Sequence, residues 1–344
     1  MTSRPGGVLR LRAGAAPKYR QIVESVQDAI RRGQLRPGLA IPSMNELRRQ
    51  LAVSRETVFK AYRELKARGI VASHPGKGYY VSALPALTRH HVFLLLDGLT
   101  AYKEVLFDAF RRSLGENAIV DVYFHHFDST VFRTLVQQAA GRYTDYVLMP
   151  LADEEHRAWL RDTLADSRVY VLDLGWELFR EQYPCVCQDF EGEVFDSLMS
   201  ARDLMEKYSE LVLVWGKPGN DYVGAIRDAV AAGLRRFCRT SGIRFRSAAS
   251  AAALRLQAGQ CFLTSYDFDL VQLVEAARRQ RLTLGRQVGI ISFNETPLMA
   301  IAAGGITTVS TDFEAMGRTM AELVIGGRDD RILNPFRLVR RRSL

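Results

Sequence analysis

Beyond residue 90 the chain alternates short apolar runs with amphipathic stretches, and no other feature limits its fold as much as that rhythm. Strand-like runs fall at 92–96, 119–123, 146–149, 169–172, 211–215, 261–264 and 288–292. Helical patterns fill the gaps, at 102–114, 131–140, 194–205, 222–237 and 270–279. Apolar strands separated by single helices predict an α/β body, with parallel sheets covered by helices on both faces. Ligands of such sheets bind beyond the carboxyl ends of the strands, so the residues after each strand are the places to look.

Those positions are polar and aromatic. Asp97 follows the first strand and Tyr102 opens its helix; Asp173 and Trp176 follow the fourth; Tyr266, Asp267 and Asn294 follow two late strands. Carboxylates and amides beside flat rings suit a polyhydroxylated ligand, because the acceptors take its hydroxyl protons and the rings cover its C–H faces. Each residue alone has a plainer reading, an Asp as a helix cap or a Trp as core. Their shared place at strand ends favours a ligand site.

Charge divides the chain of 344 residues sharply. Residues 1–89 hold 17 Lys and Arg against 5 Asp and Glu, a net of +12, while the remainder nets −3. A basic end joined to a faintly acidic body is the layout of a polyanion-binding module carried by a separate domain. A basic leader that merely aids solubility is the competing reading. Hydrophobic residues at 47% permit a sizeable core and exclude wholesale disorder.

Several classes drop out. No run of about 18 apolar residues exists to span a bilayer, and residues 1–17 lack the apolar core of a secretory signal, which points to the cytoplasm. Cys185, Cys187, Cys238 and Cys261 read as reduced core thiols, since no second C-x-C or nearby histidine completes a metal site. The pairs His90-His91 and His125-His126 read as linker and strand-end residues. No metal and no cofactor is expected.

In the basic end, Pro17 opens a helix with Tyr19, Ile22, Val23, Val26 and Ile30 on one face. Ser43 and Glu46 form a capping-box pattern before a short helix carrying Met44, Leu47 and Leu51. Ser54 caps a third helix with Val58, Tyr62 and Leu65 inward, and Gly69 ends it. Two short strands, Ile70-Val71-Ala72 and Tyr79-Tyr80-Val81, then flank the turn His74-Pro75-Gly76-Lys77-Gly78. Two closely spaced helices followed by a hairpin describe a winged helix-turn-helix. The start of the second helix sets short polar side chains and an Arg against phosphates and base edges, where the helix dipole favours an anion. The candidate DNA contacts are Ser43, Asn45, Ser54, Arg55, Thr57 and Lys60, with Gly76, Lys77 and Gly78 at the wing tip. Similar units also dock proteins, but the net charge argues for DNA.

Residues 17–82 resemble the DNA-binding domain of the GntR family of bacterial repressors. The marks are Leu35-Arg36-Pro37-Gly38, Ile41-Pro42-Ser43-Met44-Asn45-Glu46-Leu47, Val53-Ser54-Arg55-Glu56-Thr57-Val58, Ala61-Tyr62-Arg63-Glu64-Leu65, Gly69-Ile70 and Gly76-Lys77-Gly78-Tyr79-Tyr80-Val81. The resemblance implies Ser54, Arg55 and Thr57 on the recognition helix at the DNA, and Gly76-Lys77 in the minor groove. Asn45 stands where many members carry a guanine-reading Arg, and Phe59 where some carry another. An Asn pairs with adenine instead, and one bidentate contact discriminates by about 1–3 kcal/mol.

The body is similar to the effector-binding domain of LacI-type regulators, relatives of periplasmic sugar-binding proteins. The likeness is clearest in Gly289-Ile290-Ile291-Ser292-Phe293-Asn294-Glu295, in the run from Gly305 through Thr311-Asp312-Phe313 to Gly317, and in Leu338-Val339-Arg340-Arg341-Arg342-Ser343. It implies two lobes joined by three crossovers, mapped here as about 90–190 plus 295–322 and about 191–294 plus 323–344. A linker at 83–89 joins them to the DNA-binding domain at 1–82. By position Asp173, Tyr266, Asn294 and Phe313 match effector contacts. An Arg that many sugar-responsive members place after the strand ending near Trp215 is missing, and Lys217, Asn220 and Asp221 fill that stretch. Asn294 stands for a usual Asp and Tyr266 for a usual Asn.

The two halves together imply a ligand-responsive transcriptional regulator, a repressor of carbohydrate-utilisation genes that binds double-stranded operator DNA as a homodimer and is released by a sugar-like effector. A nucleoside or other small metabolite as effector, and a body that only dimerises, stay open. A second GntR branch carries a pyridoxal-phosphate enzyme body, which needs a Schiff-base lysine. The body's lysines, Lys103, Lys207 and Lys217, lie in no such context, and the chain is read as not an enzyme.

Overall fold

The computed structural model describes residues 9–11, 17–67, 69–74, 78–82, 90–116, 118–216, 221–252 and 254–344. It opens with α1 (Lys18–Arg31), α2 (Met44–Leu51), α3 (Arg55–Ala67) and the antiparallel pair β1 (Val71–His74) and β2 (Gly78–Val81). The capping box forms: the Ser43 N–H donates to the Glu46 carboxylate at 2.7 Å and the Glu46 N–H to Ser43 Oγ at 3.3 Å. Ala52 takes a left-handed φ of 50°, which ends α2 and turns the chain directly into α3. Ile22, Val23 and Val26 of α1, Leu47 of α2, and Val58, Tyr62 and Leu65 of α3 bury together. The hairpin is tied to this core. The Ile41 N–H donates to Tyr79 O at 3.0 Å, the Val81 N–H to Leu39 O at 2.9 Å, and the Tyr79 ring meets Tyr62 edge-on at 4.8 Å. The wing is thereby held at a fixed angle to α3.

The body follows as β3 (His90–Leu96), α4 (Ala101–Leu114), β4 (Ala118–Phe124), α5 (Ser129–Ala139), β5 (Asp145–Leu148), α6 (Glu154–Thr163), β6 (Arg168–Asp173), α7 (Trp176–Phe179) and β7 (Cys185–Cys187). After these come α8 (Phe190–Ser200), α9 (Arg202–Met205), β8 (Glu210–Val214), α10 (Asp221–Ser241), β9 (Arg244–Ala248), β10 (Gln260–Thr264), α11 (Asp267–Arg279) and β11 (Val288–Phe293). The chain ends with β12 (Thr307–Thr311), α12 (Phe313–Gly326), β13 (Arg331–Leu333) and β14 (Phe336–Val339). Two six-stranded sheets result. The first is ordered β13-β7-β6-β5-β3-β4 with every pair parallel; the second is β14-β12-β11-β10-β8-β9, parallel except where β14 meets β12.

The sheets divide the chain differently from the expected partition. β12, expected in the first lobe, pairs parallel with β11 in the second sheet, and β13, expected in the second, pairs with β7 in the first. The crossovers therefore fall at 188–189, 312 and 334–335. The reason lies in packing. The Thr-rich strand β12 is buried along its whole length in the second sheet, and α12 lays Phe313, Met316, Met320 and Val324 on Leu106 and Phe110 of the first lobe. Gly317 makes that helix contact possible, because a Cβ there would stand 2.3 Å from the Leu106 carbonyl oxygen.

Asn334 ties the three crossovers together. Its N–H donates to Cys187 O at 2.9 Å, and its side-chain amide donates to Thr311 Oγ1 at 2.7 Å and Asp312 O at 2.9 Å. The linker reading of His90-His91 is corrected: both belong to β3. His90 pairs with buried Asp145 of β5 at 2.9 Å and His91 with Asp121 of β4 at 3.0 Å, so acids on the flanking strands draw two imidazoles into the ladder. All four cysteines are buried free thiols. Among the described residues no helix is long and apolar enough to cross a membrane.

Candidate functional site

Asn45, Ser54, Arg55 and Phe59 are exposed on α2 and α3 and at the turn between them, with Phe59 52% exposed. Ser54 Oγ accepts the Thr57 N–H at 3.1 Å and lies 2.8 Å from Thr57 Oγ1, so part of both hydroxyls' capacity is spent on the cap. The Ser43 hydroxyl is likewise committed to its helix. Lys60 points elsewhere: its ammonium lies 4.2 Å from the Tyr19 ring centre and lines a cavity of about 840 Å³ between α1, α3 and the first lobe. An Arg20–Asp166 ion pair at 3.5 Å bridges the two sides of that cavity. Gly78 opens β2 with φ 102°, while Gly76 and Lys77 lie outside the described residues.

The second candidate site lies between the lobes. Tyr102, at the start of α4, stacks on Phe313, at the start of α12, with ring centres 4.7 Å apart. The Tyr102 hydroxyl is pushed up to about 12; burial leads, a Thr100 hydrogen bond opposes it, and the charges of Asp173, Tyr266 and Asp267 add to it. Tyr266 and Asp267 belong to the opposite lobe, so the strand ends of the two lobes face one another across Tyr102. Asp97 forms a buried ion pair with Lys103, whose ammonium is lowered to about 8 by burial while the Asp173 charge pulls the other way. Asp173, with φ 70°, accepts a hydrogen bond from the Gln188 amide, and burial raises its carboxyl. Asn294, after β11, has φ 80° and a buried Oδ1 without a hydrogen-bond partner among the described residues. Non-glycine residues in this conformation cost about 1–3 kcal/mol each and gather at ligand sites. Trp176 is half-buried against the core of the first lobe with Arg180 over its ring at 5.5 Å, and Asn220 lies outside the described residues.

The lobes also touch at one margin of this cleft. The Tyr222 hydroxyl of α10 donates to Asp153 Oδ2 of the first lobe at 2.6 Å, and its ring stacks on Phe127 at 6.5 Å. Burial raises the Asp153 carboxyl, but hydrogen bonds from Tyr222 and from His156 outweigh it and hold the pKa below the ordinary value.

Two family models match the chain. Residues 18–81 match that of the bacterial regulatory proteins of the gntR family, and residues 218–344 match the periplasmic binding protein-like domain. This chain joins a gntR-type winged helix to a periplasmic-binding-protein-like body. The gntR likeness extends to curated relatives. One is the mannosyl-D-glycerate transport/metabolism system repressor MngR of Escherichia coli K12, 43% identical over 68 residues, which are 20% of this chain and 28% of that protein. Another is the repressor YtrA of Bacillus subtilis 168, 35% identical over 68 residues, 20% of this chain and 52% of that one. The chain thus aligns with about a quarter to a half of the length of these relatives. Among solved structures, a dimeric lac repressor with a C-terminal deletion superposes with a TM-score of 0.60 at 15% identity, covering 74% of this chain and 98% of that one. The Escherichia coli repressor ascG superposes at 0.58 and 14% identity, covering 74% and 98%. At such identities the likeness is one of fold.

Sequence reasoning passed over several residues of the periplasmic-binding-protein-like body. Lys103 sits on the apolar stripe that continues through Leu106 and Phe110, and a lysine on such a stripe signals a buried partner. Glu193 lies beside Val194 on the inward side of α8; burial, with Asp189 and Asp173 adding, pushes its carboxyl up to about 8 against a backbone hydrogen bond. Gln188 and Trp215 each bury a polar atom with no partner among the described residues. The Asp153–Tyr222 contact joins positions 69 apart in sequence, and no local pattern marks it.

Proposed function

We propose that this protein is a DNA-binding transcriptional regulator whose operator affinity is set by a small molecule held between the two lobes. In its fuller form it is a repressor of carbohydrate-utilisation genes, working in the cytoplasm and released by a sugar-like effector. The observation that carries this reading is the union, in one chain, of an exposed reading helix and a two-lobed body whose strand ends converge on carboxylates, amides and stacked rings. MngR, named as the repressor of a mannosyl-D-glycerate system, and the lac repressor fold support the carbohydrate assignment. One winged helix covers part of an operator, so two copies act on a pseudo-palindrome; exposed Leu298 and Ile301 offer apolar surface for the second copy. The described body lysines are engaged, Lys103 with Asp97 and Lys207 with Gly285 O at 2.6 Å, which weighs against a Schiff-base enzyme. An effector shifts operator affinity only by its differential affinity for the two lobe arrangements, typically about 1–3 kcal/mol.

The test selects duplexes from a random pool on the purified protein and titrates the winner by mobility shift. Binding is expected to fall steeply with salt as Lys and Arg displace counterions, and to weaken further when a bound sugar-like effector is added. Salt-insensitive binding, or no selected duplex, refutes the reading.

A further inference from the structure

Between the lobes, buried acceptors left without a partner among the described residues outnumber such donors, of which the Trp215 indole N–H is one. Three such acceptors are Gln188 Oε1, Glu193 Oε2 and Asn294 Oδ1. Gln188 is only 5% exposed, and its amide nitrogen is already given to Asp173. A buried acceptor without a donor is costly, so a molecule that fits here brings N–H or O–H groups. Charge narrows the class. Lys103 pairs directly with Asp97 and reaches Asp173 only as a nearby charge, and neither Asp173 nor Glu193 is in ion-pair contact with a cation among the described residues. These two carboxylates are close enough that the charge of Asp173 acts on Glu193. The Tyr102–Phe313 stack beside them presents electron-rich ring faces, which attract a cation.

From this geometry we propose that the effector carries a protonated amine, as in an amino sugar. Its ammonium is seated between Asp173 and Glu193, Gln188 and Asn294 take its neighbouring donors, and the Tyr102–Phe313 stack covers its apolar face. The proposal rests on the reading of the body as a small-molecule receptor and adds the chemical class. An ammonium offers three donors and no acceptor, which matches a set of unmet acceptors, whereas every sugar hydroxyl brings acceptor lone pairs that also need donors. Glu193 supports the assignment. Burial and its acidic neighbours raise it, and a cation alongside opposes that shift and favours the charged form, in which both oxygens accept.

Isothermal titration of the full chain tests this with D-glucosamine, D-galactosamine and D-mannosamine, each against its parent hexose and its N-acetyl derivative. At least one amine is expected to bind about tenfold more tightly than both neutral counterparts, the worth of one charge-assisted hydrogen bond. Glu193→Gln keeps the shape, and it should remove most of that preference. Asp173→Asn is the second variant should the first fail to fold, and Asp196→Asn, at an exposed position of the same helix, should leave the preference intact. A neutral hexose that binds as tightly as its amine overturns the amine assignment and leaves the receptor reading standing. The amine assignment alone is likewise overturned if no amine binds while a hexose or a nucleoside does. If none of the hexosamines, hexoses, N-acetyl sugars or nucleosides binds, the receptor reading falls and the amine assignment falls with it.

Discussion

Replacing Tyr222 by Phe deletes one oxygen and, with it, the hydrogen bond at 2.6 Å that joins α10 to Asp153 of the opposite lobe. The ring remains, so the stack on Phe127 persists. Asp153 is not stranded either, because the His156 N–H and ring nitrogen still serve it at 2.8 Å. A hydroxyl bond to a charged, buried acceptor is worth about 1.5–3 kcal/mol, but the Asp153 side chain is 37% exposed and water competes for it. The expected loss is therefore about 1 kcal/mol, which raises the open-to-closed ratio of the lobes about fivefold. Hydrogen exchange reads this directly as local opening: amides in the first turn of α10 and around residues 125–128 should exchange about fivefold faster, while strands β5 and β10 keep their protection. Unchanged exchange at the lobe margin, or an equal acceleration in both sheets, would refute a latch at this place. The contact needs an ionised Asp153, whose folded pKa lies below its unfolded one. Its stabilisation is thus present above the unfolded carboxylate range and lost as the pH falls through the folded value, so the latch holds at neutral pH.

Arg55→Ala should weaken binding to the selected duplex by about 1–3 kcal/mol if Arg55 reads a base, or flatten the salt slope by about one unit if it meets a phosphate; being exposed, it should leave Tm unchanged. Phe59→Arg should steepen the slope by about one unit in the same salt titration. His125 is fully buried, donating from Nε2 to Met149 O at 3.1 Å and accepting the Phe127 N–H at Nδ1, and burial lowers its pKa to about 4. The unfolded chain binds the proton more readily, so stability should fall as pH drops from about 6.5 to about 4, by ~3 kcal/mol, and His125→Gln should flatten that part of the curve in denaturant titrations. Gly317→Ala drives a methyl group into the Leu106 carbonyl, and a drop in stability of about 1–3 kcal/mol should appear as a lowered Tm.

The sequence carried the winged helix almost completely, because its signals are local. A capping box, an inward stripe on each helix and turn residues at fixed offsets each act within a few residues. The strands of the body were legible where both faces are apolar. β12 was not, since Thr307, Thr308, Ser310 and Thr311 are buried by their place in the sheet while looking polar in the chain. Together with β13, which pairs with β7 of the first sheet, that strand moved the boundary between the lobes. The placing of Tyr102 and Asp173 between the lobes was legible because strand ends converge in this class of fold, whereas Phe313 was indicated by the resemblance to LacI-type regulators alone. Lys103, Glu193 and the Asp153–Tyr222 contact were not legible, because burial and pairing across lobes depend on how the crossovers bring distant segments together.

The position of the crossovers also constrains how a ligand could reach the DNA. The cleft lies at the carboxyl ends of the strands, whereas the winged helix enters the body at His90, the amino end of β3. A ligand therefore touches nothing in the reading head, and its effect must travel as a rotation of one lobe against the other. Asn334 limits that rotation to a hinge: it holds Cys187, Thr311 and Asp312 through a single residue, so the three connecting strands bend together instead of sliding apart. On the proposed reading, closure in a dimer turns both first lobes relative to their tethered second lobes and changes the separation of the two reading heads. The lobes then act as a lever whose fulcrum is Asn334, and the free energy available at the DNA is bounded by what the ligand gains on closure.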